Sequence, residues 1–405
     1  MPDLWKVLEY DMSGVPLNVK DCERCLRLTK IFLEYAGSSP LSIFVYGVTK
    51  VPDETMGLLD LLFDAWCRRA GQWAEVALNF PQSYLERNSY QLTKGSLKNL
   101  HTIHITELNA ADGNRSTYNF LAPCRALRSA ELSLSLPRSN GLLPSLPWHQ
   151  LETLALTLES TGPNVSQLLP LCKNVKKLTI SIHGLDLLFP DTTVYTLPKV
   201  QHLTIHEASP HNSRLFSTFF RCFTLPNLVS LDVDTSTYIF GDVLKESDFS
   251  GLLEFLQRSS SRLTSLTLRG ECLSSERVVY LLECLEELTT LHLVESRFRR
   301  GSDQTLCTPY VFEHLVAPDI FPGSLLPQLL HLKVTEVTKY LPCKELVAAV
   351  LSRCGSTGAG PGVERLQSVE VELYDYMLWA DDLPRSLRQL KDLGGGDEGL
   401  KVIVR

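Results

Sequence analysis

The pattern Leu-x-x-Leu-x-Leu constrains this chain more than any other feature, because it returns again and again from residue 100 onward. It is read at Leu100-Ile103-Ile105, Leu127-Ala130-Leu132, Leu151-Leu154-Leu156, Val175-Leu178-Ile180 and Val200-Leu203-Ile205. It continues at Leu228-Leu231-Val233, Leu263-Leu266-Leu268, Leu288-Leu291-Leu293, Leu329-Leu332-Val334 and Leu366-Val369-Val371. The last apolar residues of each copy alternate with small or polar ones, the period-two signature of a strand with one buried face. One such strand alone buries nothing, whereas a stack gives every apolar face a neighbour. Weaker upstream copies are Trp5-Leu8-Tyr10, Leu41-Phe44-Tyr46 and Trp73-Val76-Leu78, and the closing "GLKVIVR" reads as a final strand.

The anchors Leu100, Leu127, Leu151, Val175, Val200 and Leu228 lie 27, 24, 24, 25 and 28 residues apart, a spacing found in leucine-rich repeats. The later steps of 35, 25, 41 and 37 residues place insertions in loops. Between strands the apolar period becomes helical, in 18–37, 56–71, 247–260, 273–288 and 343–355. Ser or Asp stands at the start of some of these segments and Gly at the end of others, as helix caps require. Strand, crossover helix, strand is a right-handed parallel unit. The fold class is therefore α/β: an irregular leucine-rich-repeat-like solenoid with a parallel concave sheet and outer helices. One solenoid is expected over 1–405, with divergent N-terminal repeats in 1–95, core repeats in 96–375, and a C-terminal helix and closing strand in 376–405. The ninth repeat position, where the regular repeat carries Asn or Cys, holds Glu159, His183, Ser236, Ser296 and Tyr374. No asparagine ladder is expected there.

A net charge of -7 supplies no global field for nucleic acid or an anionic membrane. No apolar run reaches the roughly 18 residues of a membrane helix, and the first residues have no apolar signal core. The 11 cysteines are scattered through apolar stretches, as in a reduced cytoplasmic or nuclear protein that uses Cys as a small core residue. Cys22-x-x-Cys25 falls on a predicted helix with no second pair at zinc spacing. His202 and His206 would be about 13 Å apart on a strand at ~3.3 Å per residue, too far for one metal ion. The glycine-rich stretch 355–362 has no Gly-Lys-Ser/Thr, and Arg297, Arg299 and Arg300 read as a solvated loop. No nucleophile, acid–base pair or metal set emerges, so no enzyme activity, cofactor or metal is expected.

What remains is the polar side of the strands. It reads Thr102-His104-Thr106, Ser129-Glu131-Ser133, Thr153-Ala155-Thr157 and Lys177-Thr179-Ser181, and farther on His202-Thr204-His206, Ser230-Asp232-Asp234, Ser265-Thr267-Arg269, Thr290-His292-Val294, His331-Lys333-Thr335 and Ser368-Glu370-Glu372. Charge and imidazole are densest around His202, His206, Asp232, Asp234, Arg269 and His292, which are the candidate partner-binding residues. The expected ligand is a protein on the concave face of a monomeric chain. The expected function is non-catalytic recognition, as a substrate-recruiting solenoid or as a scaffold or inhibitor of a partner enzyme.

The stretches "LWKVLEYD", "IFLEYAGSSPLSIFV", "LLDLLFDAWCRRAGQWAEVALNF", "LPWHQLETLAL", "LLPLCKNVKKLTI", "TLPNLVSLDV" and "LLEFLQRSSSRLTSLTL" occur in an order that resembles the divergent leucine-rich-repeat region of fungal F-box proteins. The resemblance implies the substrate-recognition region of an F-box-type ubiquitin ligase subunit. In that family the element matched by Pro2-Asp3-Leu4-Trp5 follows the F-box, the helical module that docks on a Skp-type adaptor, and this sequence carries no F-box. An adaptor is thus an expected partner only where an upstream F-box exists.

Overall fold

The computed structural model describes residues 5–12, 18–48, 51–80, 84–85, 87–88, 97–109, 119–135, 145–159, 168–182, 194–207, 219–235, 246–259, 262–270, 273–295, 306–316, 325–336, 341–354, 363–373, 387–390 and 401–404. The chain divides into two compact units, Met1–Pro190 and Asp191–Arg405. Each contributes seven strands to open parallel sheeting, with the long helices outside it.

In the first unit the strands are β1 (Val7–Asp11), β2 (Leu41–Tyr46), β3 (Trp73–Asn79), β4 (Thr102–Asn109), β5 (Ser129–Ser135), β6 (Thr153–Glu159) and β7 (Lys177–Ile182), adjacent in chain order. The helices α1 (Val19–Ala36) and α2 (Asp53–Cys67) cross between the first three. Asn18 caps α1 by accepting the Asp21 N–H at 2.9 Å, and Gly37 ends it at φ +58°, a conformation other residues pay to adopt. Phe32, Leu33 and Ala36 face inward, while Ile31 is 47 % exposed. Tyr10 ties β1 to α1 through its hydroxyl, 2.6 Å from Thr29 Oγ1 and donating to Cys25 O at 3.1 Å. Among the described residues of the connections from β4 to β7 are short 3₁₀ turns, such as Trp148–Gln150 and Leu169–Leu171.

The second unit alternates strand and helix. Its sheet runs β9 (His202–Glu207), β11 (Ser230–Asp234), β12 (Ser265–Arg269), β13 (Thr290–Val294), β14 (His331–Glu336), β15 (Ser368–Leu373) and β16 (Lys401–Val404), and β8 (Tyr195–Thr196) pairs with β10 (Phe223–Thr224) apart from it. The helices are α3 (Glu246–Ser259), α4 (Ser275–Glu283), α5 (Pro309–Leu315) and α6 (Cys343–Cys354). The sequence reading passed over α5, a short helix with Thr308 capping Val311 N and Pro309 at its first turn. Both residue types favour a helix start.

The register follows the repeat from β3 onward. Leu154 pairs with Ala130 and Leu178, and Leu156 with Leu132 and Ile180; Leu154 and Leu156 are buried, and Thr153, Ala155 and Thr157 are partly exposed opposite them. A recurring backbone motif fixes this register. At the entrances of β5–β7 and β11–β15 two successive N–H groups donate to one carbonyl of the repeat before, as Glu152 and Thr153 do to Arg128 O at 2.8 and 3.0 Å. The upstream copy Leu41-Phe44-Tyr46 is corrected. Ile43 and Val45 are the buried partners of Leu8 and Tyr10, and Phe44 and Tyr46 stand on the opposite face. A bulge is the cause: Leu41 pairs with Trp73, but Ser42 already pairs with Glu75, and a slip of one residue turns every later side chain over.

Amide side chains do link repeats, though at the strand entrance rather than the ninth position. Asn99, Asn174 and Asn227 each precede an anchor residue, and each donates through Nδ2 to a carbonyl of the preceding repeat, Gly71 O, His149 O and Pro198 O. Gln150 reaches Cys124 O and Leu127 O in the same manner. Of the ninth-position residues, Glu159 ends β6, and His183, Ser236, Ser296 and Tyr374 lie outside the described residues.

One buried cation is structural. Arg353, 1 % exposed near the end of α6, donates to Leu315 O at 2.7 Å, to Leu326 O at 2.9 Å and to Leu325 O. Leu326 has φ +54°, an unfavourable value for a residue with a Cβ, and the guanidinium clamps its turn. Burial lowers the Arg353 pKa to about 10, which leaves it charged at neutral pH.

Candidate recognition face

In the second unit, the six residues singled out from sequence stand on one face, because they occupy same-parity positions of paired strands. His202, His206, Asp232, Asp234, Arg269 and His292 lie on β9, β11, β12 and β13, with Ser230 opposite His202 and Asp234 opposite His206. Most of them are tied to one another. His206 Nδ1 is 3.0 Å from Asp234 Oδ2. Arg269 donates through Nε to Asp232 Oδ1 at 3.0 Å and through Nη2 to Asp232 Oδ2 at 3.1 Å. Burial alone would lower the Arg269 pKa; its hydrogen bonds to Asp232 and the charges of Asp232 and Asp234 outweigh it and hold the guanidinium above its ordinary value. His202 is exposed at the start of its strand.

His292 behaves differently from the other imidazoles. Its Nε2 is 3.0 Å from Thr335 Oγ1, and that hydroxyl donates to Glu372 Oε2 at 3.1 Å. With its hydrogen donated to the Glu372 carboxylate, Thr335 accepts from His292 Nε2–H, which places a hydrogen on Nε2. Burial, then the positive charges of Arg269 and Lys333, lower the His292 pKa to about 4, against a weaker opposing pull from Glu372. Lys333 Nζ lies 3.1 Å from Glu372 Oε1 and 3.5 Å from Glu370 Oε1. This face is thus a network of internally compensated charge. A partner there has to exchange one ion pair for another, an arrangement that serves specificity more than raw affinity.

The first unit carries a depression that the sequence reading missed. It has a volume of about 380 Å³ and is lined by Phe44, Tyr46, Glu75, Ala77, Asn79, His104 and Glu131, among others. The register explains it. Ala77 lies between Phe44 of β2 and His104 of β4 in one cross-strand row, so a methyl group forms the floor between two larger side chains. Phe44 and Tyr46 stack with centroids 6.2 Å apart and planes at 13°. His104 Nδ1 is 2.8 Å from Glu131 Oε2, and its Nε2 is 3.5 Å from Glu75 Oε1. Burial first, and then the negative charges of Glu9, Glu75 and Glu131, raise the Tyr46 pKa above its ordinary value. The one signal in the sequence was Phe44 and Tyr46 themselves, two aromatics among the hydroxyl-bearing residues that mostly fill this face.

Cys22 and Cys25 share α1; burial raises the pKa of both thiols, the opposite of what a reactive or metal-binding pair needs. The ten described cysteines are all free thiols. Among the described residues no group of three or more His, Cys, Asp or Glu could hold a metal ion, and no helix is long and apolar enough to cross a membrane. The glycine-rich stretch 355–362 and Arg297, Arg299 and Arg300 lie outside the described residues. Comparison of the chain with protein-family models and with curated proteins returned no match.

Proposed function

We propose that this chain is a non-catalytic recognition module that binds a protein segment on the polar face of its sheets. The observation that carries this reading is the face itself. Each unit presents rows of hydroxyl, carboxylate, imidazole and amino groups on paired strands, held by a leucine core that leaves them no freedom to turn inward. Seven strands at ~4.8 Å spacing span about 29 Å in each unit, the breadth of a protein interface rather than of a metabolite site. The free, mostly buried thiols favour a reducing compartment, cytoplasm or nucleus. By its resemblance to F-box repeat regions, the module would choose substrates for a ubiquitin ligase.

Photo-crosslinking tests the reading. A benzoylphenylalanine placed at Thr179 or Thr267, on the polar face, should capture a discrete partner. The same group at Glu23 or Glu283, on helices, should not. Capture from the helices alone would overturn the assignment of the face. Ubiquitination of the captured protein in the presence of a Skp-type adaptor would support the ligase reading, and a captured enzyme that is inhibited but never ubiquitinated would replace it with an inhibitor.

A further inference from the structure

We infer that the depression on β2–β5 of the first unit receives an arginine side chain from a basic partner segment. This deepens the recognition reading and rests on it. Two independent features of the site converge on that ligand. The sign of the charge is the first: the described residues of this face include Glu9, Asp11, Glu75 and Glu131, against Lys177 six strands away from β1. The second is the wall formed by Phe44 and Tyr46, whose nearly parallel rings offer a flat π surface at the rim, with Tyr46 39 % exposed. A planar guanidinium stacks on such a surface and can donate to two carboxylates at once, which an ammonium cannot match in geometry.

The dimensions agree. A cavity of about 380 Å³ is at the small end of the range for ligand sites; it suits one long side chain and excludes a folded domain. Ala77 sets the depth. It is flanked by Phe44 and His104, and any larger residue there would fill the space a guanidinium needs. His104 is a positioning residue: held between Glu75 and Glu131, it fixes the carboxylates that face the cavity.

The test uses the full chain with alanine methyl groups labelled with carbon-13, titrated with a blocked pentapeptide Gly-Gly-Arg-Gly-Gly. The Ala77 methyl signal should shift saturably, with a dissociation constant on the order of 1 mM for so small a ligand. The citrulline peptide, equal in shape but uncharged, should bind about tenfold more weakly or worse, the loss expected of a charge-assisted hydrogen bond. By calorimetry, Glu75→Gln and Glu131→Gln should each weaken the arginine peptide by roughly tenfold, and Ala77→Leu should abolish binding while the thermal unfolding profile is retained. Equal binding of the citrulline peptide, absence of any saturable shift up to ~20 mM, or undiminished binding by Ala77→Leu would each overturn the inference. Those results would leave crosslinking from Thr179 and Thr267 untouched, so failure of this site and failure of the recognition reading are told apart.

Discussion

Acidifying the solution from pH 7.5 to pH 5 should destabilise the second unit through one residue, His292. An unfolded histidine takes up a proton near pH 6.5, whereas in the fold its pKa is about 4. Between those values the unfolded chain binds a proton that the folded chain refuses, so stability is full above pH 6.5 and falls as the pH drops toward 4. Below 4 both states are protonated and the loss stops growing. Over the whole interval of about 2.5 pH units the loss approaches ~3 kcal/mol, and at pH 5 it is about 2 kcal/mol. The causes sit on neighbouring strands: burial, Arg269 on β12 and Lys333 on β14, opposed by Glu372 on β15. His292→Gln keeps a donor for Thr335 and removes the titration. Calorimetric melts of both proteins at pH 7.5 and pH 5 should show the wild type losing roughly 4–8 °C more than the variant, at ~2–4 °C per kcal/mol for a unit of this size. If the two lose the same amount, or if the His292 ring titrates near pH 6 by NMR, the geometry assigned to the His292–Thr335–Glu372 chain is wrong.

Other perturbations probe the frame. Leu156→Asp would bury an unpaired carboxylate between β5 and β7 and should cost more than about 4 kcal/mol; a melting temperature that barely moves would refute the register. Arg353→Met should cost roughly 3–5 kcal/mol, read by urea unfolding, because it strands the carbonyls of Leu315, Leu325 and Leu326 in the interior. Asn174→Ala and Asn227→Ala should each cost about 1 kcal/mol, with faster amide exchange confined to the repeats on either side. Once a partner is in hand, reversing Asp232 and Asp234 to Lys should weaken it by at least about tenfold, since each reversal also removes a side-chain contact on the face, to Arg269 and to His206.

The sheet was legible because its repeat places an apolar residue at every second position, the inward one, and ten copies share one phase. The polar residues of the second unit were legible for the same reason: once Leu231 and Val233 are inside, Asp232 and Asp234 are outside. The cavity was not, and the reason is local. In "LSIFVY" both parities are apolar, so pattern alone does not say whether Ile43 and Val45 or Phe44 and Tyr46 are buried. Pairing with β1 decides it through Leu8 and Tyr10, a long-range fact. Arg353 was equally hidden, since a helix-terminal arginine is ordinarily solvated and only the carbonyls of a distant turn explain its burial. The amide links left a trace in "KNL", "KNV" and "PNL", each just before an anchor rather than at the ninth position, where the regular repeat carries its amide.

These amides have a direction. Asn99, Asn174 and Asn227 each reach back to a carbonyl 28, 25 and 29 residues earlier in the chain. A ribosome therefore always delivers the acceptor before the donor. At ~5–20 residues per second, each new repeat emerges within seconds and meets a preceding turn that is already in place. The chain can close these bonds as it is made, one repeat at a time, without waiting for any segment still to be translated. A translation pause just after Asn174 should therefore be tolerated, whereas a pause between Leu151 and Asn174 leaves the carbonyl of His149 without its donor until synthesis resumes.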